Sequence, residues 1–199
     1  MHHYFQEKFM SRANLLILAA GKSSRMGQSK ADLNIEGQKI VELHAESFKK
    51  YGATYLVMGK HNFKEFEGVT SLINPFAPDC SPFESLQYGL SQLKEMALPT
   101  FVLPVDFLPM PTELWEPMLD ELRRDFEAVI PSFEGKHGHP VLLSCKMQKS
   151  IKNQKEGRLD HILNEAQECS ILELEFPQIH KQFNTKEEFS KLTSTAEEG

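Results

Sequence analysis

Cysteine is scarce in this chain of 199 residues: Cys80, Cys145 and Cys169 are odd in number and form no CxxC pair. That excludes a disulfide framework and a cysteine-built zinc site, and free thiols in a reducing compartment are expected. Long hydrophobic runs are missing too. The longest useful one, residues 15–20, is far short of the roughly 20 residues that cross a bilayer. The first eight residues (Met1-His2-His3-Tyr4-Phe5-Gln6-Glu7-Lys8) place no basic stretch before an apolar one. No signal peptide is therefore expected, and the cytoplasm is the expected compartment. Positive charge is in deficit, with 22 Lys plus Arg against 28 Asp plus Glu. This balance argues against a protein that coats nucleic acid or an anionic membrane, while leaving room for local cationic sites.

What remains is ordinary globular material, 40% hydrophobic and 25% charged. A chain of this length buries about 70% of its unfolded surface and needs no staple. Residues 1–193 are expected to form one domain, and residues 194–199 a small, acidic, frayed tail.

Short apolar runs alternate with longer amphipathic stretches. Strands are expected at 15–20, 54–58, 69–73, 101–105, 127–130, 140–143 and 171–176. Helices are expected at 40–51, 83–96, 112–126 (with Thr112 as N-cap and Pro117 awkwardly inside), 158–167 and 185–192. Such alternation means a three-layer α/β/α domain, a mostly parallel, Rossmann-like sheet with helices on both faces. Ligands in such sheets bind beyond the carboxyl ends of the strands. The loops after Ala20, Ile73 and Val105 are thus the first places to look.

The first of these reads Gly21-Lys22-Ser23-Ser24-Arg25-Met26-Gly27-Gln28-Ser29-Lys30. Glycines leave backbone amides free to face an anion, and Lys22, Arg25 and Lys30 crowd cations into an otherwise acidic chain. Together they suit a polyphosphate better than a solvated turn. Counting excludes two familiar loops. A Walker loop needs four residues between its glycines, and five lie between Gly21 and Gly27. The dinucleotide fingerprint needs glycine where Ser23 stands.

The segment does resemble the nucleotidyltransferase signature L-A-A-G-x-S-x-R-M-G-x-x-K. Leu18, Ala19, Ala20, Gly21, Ser23, Arg25, Met26, Gly27 and Lys30 fill every fixed position. It is similar to the MobA-like group, which contains the molybdenum cofactor cytidylyl- and guanylyltransferases. The resemblance runs from residue 15 to about 189 and implies a sheet of the nucleotide-diphospho-sugar transferase type. Its signature loop would hold a nucleoside triphosphate, with Arg25 and Lys30 on the phosphates.

Asp106 ends an apolar strand, where a carboxylate is costly. It reads either as a cap or turn residue before Pro109 or as a Mg²⁺ ligand. The family's G-D-x-P is Val105-Asp106-Phe107-Leu108-Pro109 here, so the glycine is replaced and the proline sits one place late. Asn74, Ser81 and Ser85 resemble the segment that lines the nucleotide, although Ser81-Pro82 is also a plain helix start. Gly138-His139-Pro140 matches a recurrent G-H-P-V associated with the acceptor side. Asn184-Thr185 falls in the family's last motif but can simply cap the final helix. In that motif Gln182 stands where the first Asp is usual and Lys186 replaces Pro. Asp32 and Asn34 stand where the family has an apolar residue and proline.

The resemblance implies attack by an acceptor phosphate on the α-phosphorus of the triphosphate, with Arg25, Lys30, loop amides and Mg²⁺ on Asp106 neutralising charge. The acceptor would be molybdopterin or molybdenum cofactor. Ala20 favours CTP over GTP, because guanylyltransferases usually carry glycine there, leaving room for a larger base. Alternatives are a sugar-1-phosphate or other small-phosphate nucleotidyltransferase, or a non-catalytic nucleotide-binding homologue. Neither nucleic acid nor membrane is an expected partner, and a molybdoenzyme or chaperone partner stays unidentified.

Overall fold

The structure, a computed structural model, describes residues 13–21, 27–93 and 97–194. Its first strand, β1 (Asn14–Ala19), is buried almost throughout and forms the middle of the sheet. A two-stranded hairpin, β2 (Asn34–Ile35) and β3 (Gln38–Lys39), leads into α1 (Ile40–Phe48). Then come β4 (Thr54–Gly59), β5 (Val69–Asn74), α2 (Pro82–Gln92), β6 (Thr100–Pro104) and α3 (Trp115–Leu122). The second half holds β7 (Ala128–Phe133), β8 (Lys136–His137), β9 (Val141–Leu143), α4 (Cys145–Asn153), α5 (Leu159–Glu165), β10 (Cys169–Glu173) and α6 (Lys186–Ser194).

The main sheet runs β5-β4-β1-β6-β9-β7-β10. Parallel pairing joins β5 to β4, β4 to β1, β1 to β6 and β7 to β10. β9 lies antiparallel between β6 and β7, and β8 pairs antiparallel with β7. Strand order grows outward from β1 through β4 to β5, then returns to β6 on the other side of β1. That reversal opens a crevice beyond the carboxyl ends of β1 and β6.

Side-chain alternation along β1 splits the core into two layers. Leu15 and Ile17 face Ile40, Val41 and Phe48 of α1 and Trp115, Met118 and Leu119 of α3. Leu16 and Ala20 face Phe83, Leu86 and Leu90 of α2, Met147 and Ile151 of α4, and Leu163 of α5. The expected three-layer α/β/α arrangement is therefore present. No helix among the described residues is long and apolar enough to cross a membrane.

Several local expectations change. Thr112 is not an N-cap: it begins a 3₁₀ turn, Thr112–Leu114, with Pro111 in the cap position, and α3 starts only at Trp115 and stops at Leu122. Pro117 is then the third residue of α3, where the missing N–H has no intrahelical partner to lose. α1 ends three residues early, and α5 is shorter than its apolar pattern suggested at both ends. β10 covers 169–173 rather than 171–176, because its register against β7 spans Cys169–Ala128 to Glu173–Ser132. α4 escaped notice because only Met147 and Ile151 mark its apolar face, but Ser144 caps it by accepting from Met147 N. At the end of the chain Thr185 does cap α6: its Oγ1 accepts from Glu188 N at 3.1 Å, while Glu188 Oε2 accepts from Thr185 N. Ser194 belongs to α6, and residues 195–199 lie outside the described ones.

Candidate active site

Pairing between β1 and β6 continues one residue past β6, where Val105 N–H donates to the Leu18 carbonyl at 3.1 Å. This delivers Asp106 to the mouth of the crevice, beside the carboxyl end of β1. Lys30, first residue of the 3₁₀ turn Lys30–Asp32, reaches the same point. Its Nζ donates to Asp106 Oδ2 at 2.9 Å and to the Phe183 carbonyl at 3.3 Å, and lies 5.7 Å from the Phe183 ring centre. Both charged side chains are mostly buried, at 14% and 16% exposure. The second carboxylate oxygen, Asp106 Oδ1, is buried with no hydrogen-bond partner among the described residues. A buried, unpaired acceptor of this kind costs about 1–3 kcal/mol, more when charged, so it marks a position suited to a ligand.

A third segment completes the site. Phe183 N–H donates to the Asp106 carbonyl at 2.8 Å and Leu108 N–H to the Lys181 carbonyl at 2.9 Å. Phe107 and Gln182 thus form an antiparallel bridge. From below, His44 Nε2 lies 3.3 Å from the Phe107 carbonyl. Complete burial brings the His44 pKa down to about 4, against the opposing effect of that hydrogen bond.

The Gly138-His139-Pro140 segment lies alongside. Gly138 N–H donates to the Pro131 carbonyl and His139 N–H to the Ile179 carbonyl. A Cβ on Gly138 would come within 2.7 Å of the Ile179 carbonyl oxygen, so only glycine allows this approach. The His139 ring packs edge-on against Phe107 at 4.9 Å, and its Nδ1 is buried without a partner among the described residues. Burial holds its pKa below the ordinary histidine value, outweighing a hydrogen bond to the Val102 backbone and the nearby Asp106 charge. A cavity of about 850 Å³ opens here, walled by Leu18, Pro104, Phe107, His139, Ile179 and Gln182 among others.

The remaining expected residues divide. Ser81 borders this cavity and also caps α2: Ser81 Oγ accepts from Glu84 N at 3.1 Å while Glu84 Oε2 accepts from Ser81 N at 2.6 Å. Asn74 and Ser85 turn inward instead. Asn74 Nδ2 donates to Ser85 Oγ and to Cys80 Sγ, each at 3.3 Å, bracing the end of β5 against α2. Leu18 faces the cavity, Ala19 and Ala20 are buried, and Gly21 is exposed. Lys22, Ser23 and Arg25 lie outside the described residues. Asp32 is accounted for: Lys64 Nζ lies 2.7 Å from its carboxylate and Lys39 Nζ donates to its carbonyl, so the polar residue ties down the turn that carries Lys30.

The sequence gives no sign of His44 in this neighbourhood, and it marks Gln182 and Phe183 only as part of the family-like last motif.

A lysine and a half-satisfied carboxylate meet at the switch point of a mostly parallel sheet, which makes this crevice the candidate ligand site of an α/β protein. The model of the MobA-like NTP transferase domain matches residues 15–169, and the chain belongs to that family as a nucleotidyltransferase of the MobA-like type. A molybdenum cofactor guanylyltransferase of Campylobacter jejuni subsp. jejuni serotype O:6 is 28% identical over 192 residues, covering 93% of this chain and 97% of that protein. Among solved structures, CMP:2-keto-3-deoxy-manno-octonic acid synthetase complexed with CTP superposes with a TM-score of 0.74 at 13% identity, over 94% of this chain and 99% of that one. The 4-diphosphocytidyl-2C-methyl-D-erythritol synthase of Anaerococcus prevotii gives 0.71 at 13% identity, over 94% and 96%. At such identities these structures establish the shared fold, that of the nucleotide-diphospho-sugar transferases.

Proposed function

We propose that this protein transfers a nucleoside monophosphate from a nucleoside triphosphate to a phosphorylated molybdopterin-type acceptor, releasing pyrophosphate. The observation that carries the reading is the Lys30–Asp106 pair at the crevice, with Asp106 Oδ1 unpaired among the described residues. In this reaction an acceptor phosphate oxygen forms a bond to the α-phosphorus while the bond to the β-phosphate oxygen breaks. Such chemistry asks the protein for alignment and charge neutralisation rather than a covalent nucleophile. Lys30 supplies a fixed cation beside the reacting phosphates, and Arg25 with the amides after Gly21 would hold the triphosphate. His139 and Gly138, on the cavity wall, would face the acceptor.

Asp106 Oδ1 also fits a hard divalent cation, which takes carboxylate oxygen and fills its remaining positions with water and ligand phosphates. Among the described residues no cluster of three or more His, Cys, Asp or Glu offers a fuller cage. Bound there, Mg²⁺ would supply charge neutralisation on the phosphate oxygens.

The name shared by the curated relatives supports GTP as donor. A second reading, CTP, rests on Ala20, where a glycine would leave more room for a larger base. Pyrophosphate release with molybdopterin and either triphosphate decides between them: turnover with only one names the donor. Turnover confined to sugar 1-phosphates would discard the acceptor but keep the chemistry. In the same assay Asp106→Asn is expected to lose at least about 100-fold in kcat while its melting profile stays cooperative. An active variant with unchanged Mg²⁺ dependence would remove Asp106 from the reaction.

A further inference from the structure

His44 is a polar residue where the core calls for an apolar one. It sits on the inner face of α1, fully buried beside Ile40, Val41 and Phe48. Its ring is neutral at ordinary pH and carries one N–H. Nδ1 has no partner among the described residues and Nε2 faces the Phe107 carbonyl at 3.3 Å, so the proton belongs on Nε2 and Nδ1 is left bare. Leaving a buried ring nitrogen unpaired is unfavourable, and an aliphatic side chain would avoid it. What the imidazole provides instead is a hydrogen bond to the peptide that joins Phe107 to Leu108, one residue beyond Asp106.

That peptide matters because, among the described residues, the backbone beyond the Val105–Leu18 pairing is otherwise held through the 181–183 segment. Lys30 fixes one carboxylate oxygen, but the direction of Oδ1 depends on how the turn itself is set. We propose that His44 is a positioning residue, which by donating Nε2–H to the Phe107 carbonyl sets the turn that aims Asp106 Oδ1 into the crevice. The inference rests on Asp106 as the reactive carboxylate and goes beyond it by assigning its support to α1, a helix that contributes no residue to the cavity wall.

Three variants of the full chain test it. His44→Leu removes the donor, His44→Gln offers an amide N–H near the Nε2 position, and Asp106→Asn is the reference for loss of the carboxylate. Readouts are hydrogen exchange of the 106–108 amides, Mn²⁺ binding followed by electron paramagnetic resonance, and kcat against KM for the triphosphate. His44→Leu is expected to speed exchange at 106–108, to weaken Mn²⁺ binding by about 10- to 100-fold and to lower kcat with KM little changed. His44→Gln should recover much of each. A merely structural role would lower the melting temperature without moving metal affinity or kcat, and that result would overturn the proposal. Wild-type Mn²⁺ binding unaffected by Asp106→Asn would instead discard the metal reading, leaving exchange at 106–108 to decide on His44 alone. Unchanged exchange there in a folded His44→Leu protein overturns the proposal by itself.

Discussion

Single residues here carry charge or polarity into places that burial alone would leave apolar. Asp106 and Lys30 lie 76 positions apart in the chain yet share one buried contact. Each offsets much of the other's desolvation, while Oδ1 has no partner among the described residues. His44 carries a similar cost with a measurable consequence. Its folded pKa, about 4, lies below the ordinary value of 6.5, so the unfolded chain binds the proton more readily. Stability from this group is therefore complete above about pH 6.5 and is lost as pH falls toward 4, by up to about 3 kcal/mol. Denaturant titrations from pH 7.5 to 4.5 should show wild type losing stability more steeply than His44→Leu. Parallel pH profiles for the two proteins would refute the assignment of that loss to His44.

At the scale of elements, the site depends on how closely helices approach the sheet. α2 crosses β1 and β4 at Gly89, where a Cβ would meet Val57 Cγ2 at 2.8 Å and Leu16 side-chain carbons at 2.9 and 3.0 Å. Helix propensity favours alanine over glycine by about 1 kcal/mol, but here the methyl must push α2 away from a packed core. Gly89→Ala is expected to destabilise by about 1–3 kcal/mol in equilibrium unfolding, whereas a gain in stability would show that α2 can shift freely. The same sheet-and-helix logic explains what was legible in advance. Leu15, Leu16 and Ile17 announce a buried strand, Ser81-Pro82 announces a helix start, and both occur as read. The α4 stretch and the 34–39 hairpin had no such announcement, since one apolar pair or two-residue strands give too little periodicity to see.

Across the whole molecule, a segment just before α6 reaches back to Lys30 and to the turn after β6. Residues 181–183 lie beyond the span matched by the family model, yet they pair with 106–108 and accept the Lys30 ammonium. Phe183 anchors this contact, with no exposed surface and its ring 4.9 Å from Phe189 of α6. Phe183→Ala should cost about 3–5 kcal/mol of stability and lower nucleotidyl transfer in the folded fraction, because the cavity loosens the segment that fixes Lys30 and Asp106. Full activity per folded molecule would mean that the contact serves stability alone.

The sequence by itself determined the strand–helix alternation, the glycine- and cation-rich segment from Gly21 to Lys30 and the suspicion attached to Asp106, because each is written in adjacent residues through periodicity, turn chemistry or a motif. Only the tertiary structure decided that Lys30 pairs with Asp106, that Asn74 and Ser85 brace each other inside the fold, and that His44 meets the Phe107 carbonyl and Lys30 the Phe183 carbonyl. Those relations join residues far apart in the chain. They exist only once strand order and register have brought the carboxyl ends of β1 and β6 together under the returning C-terminal segment.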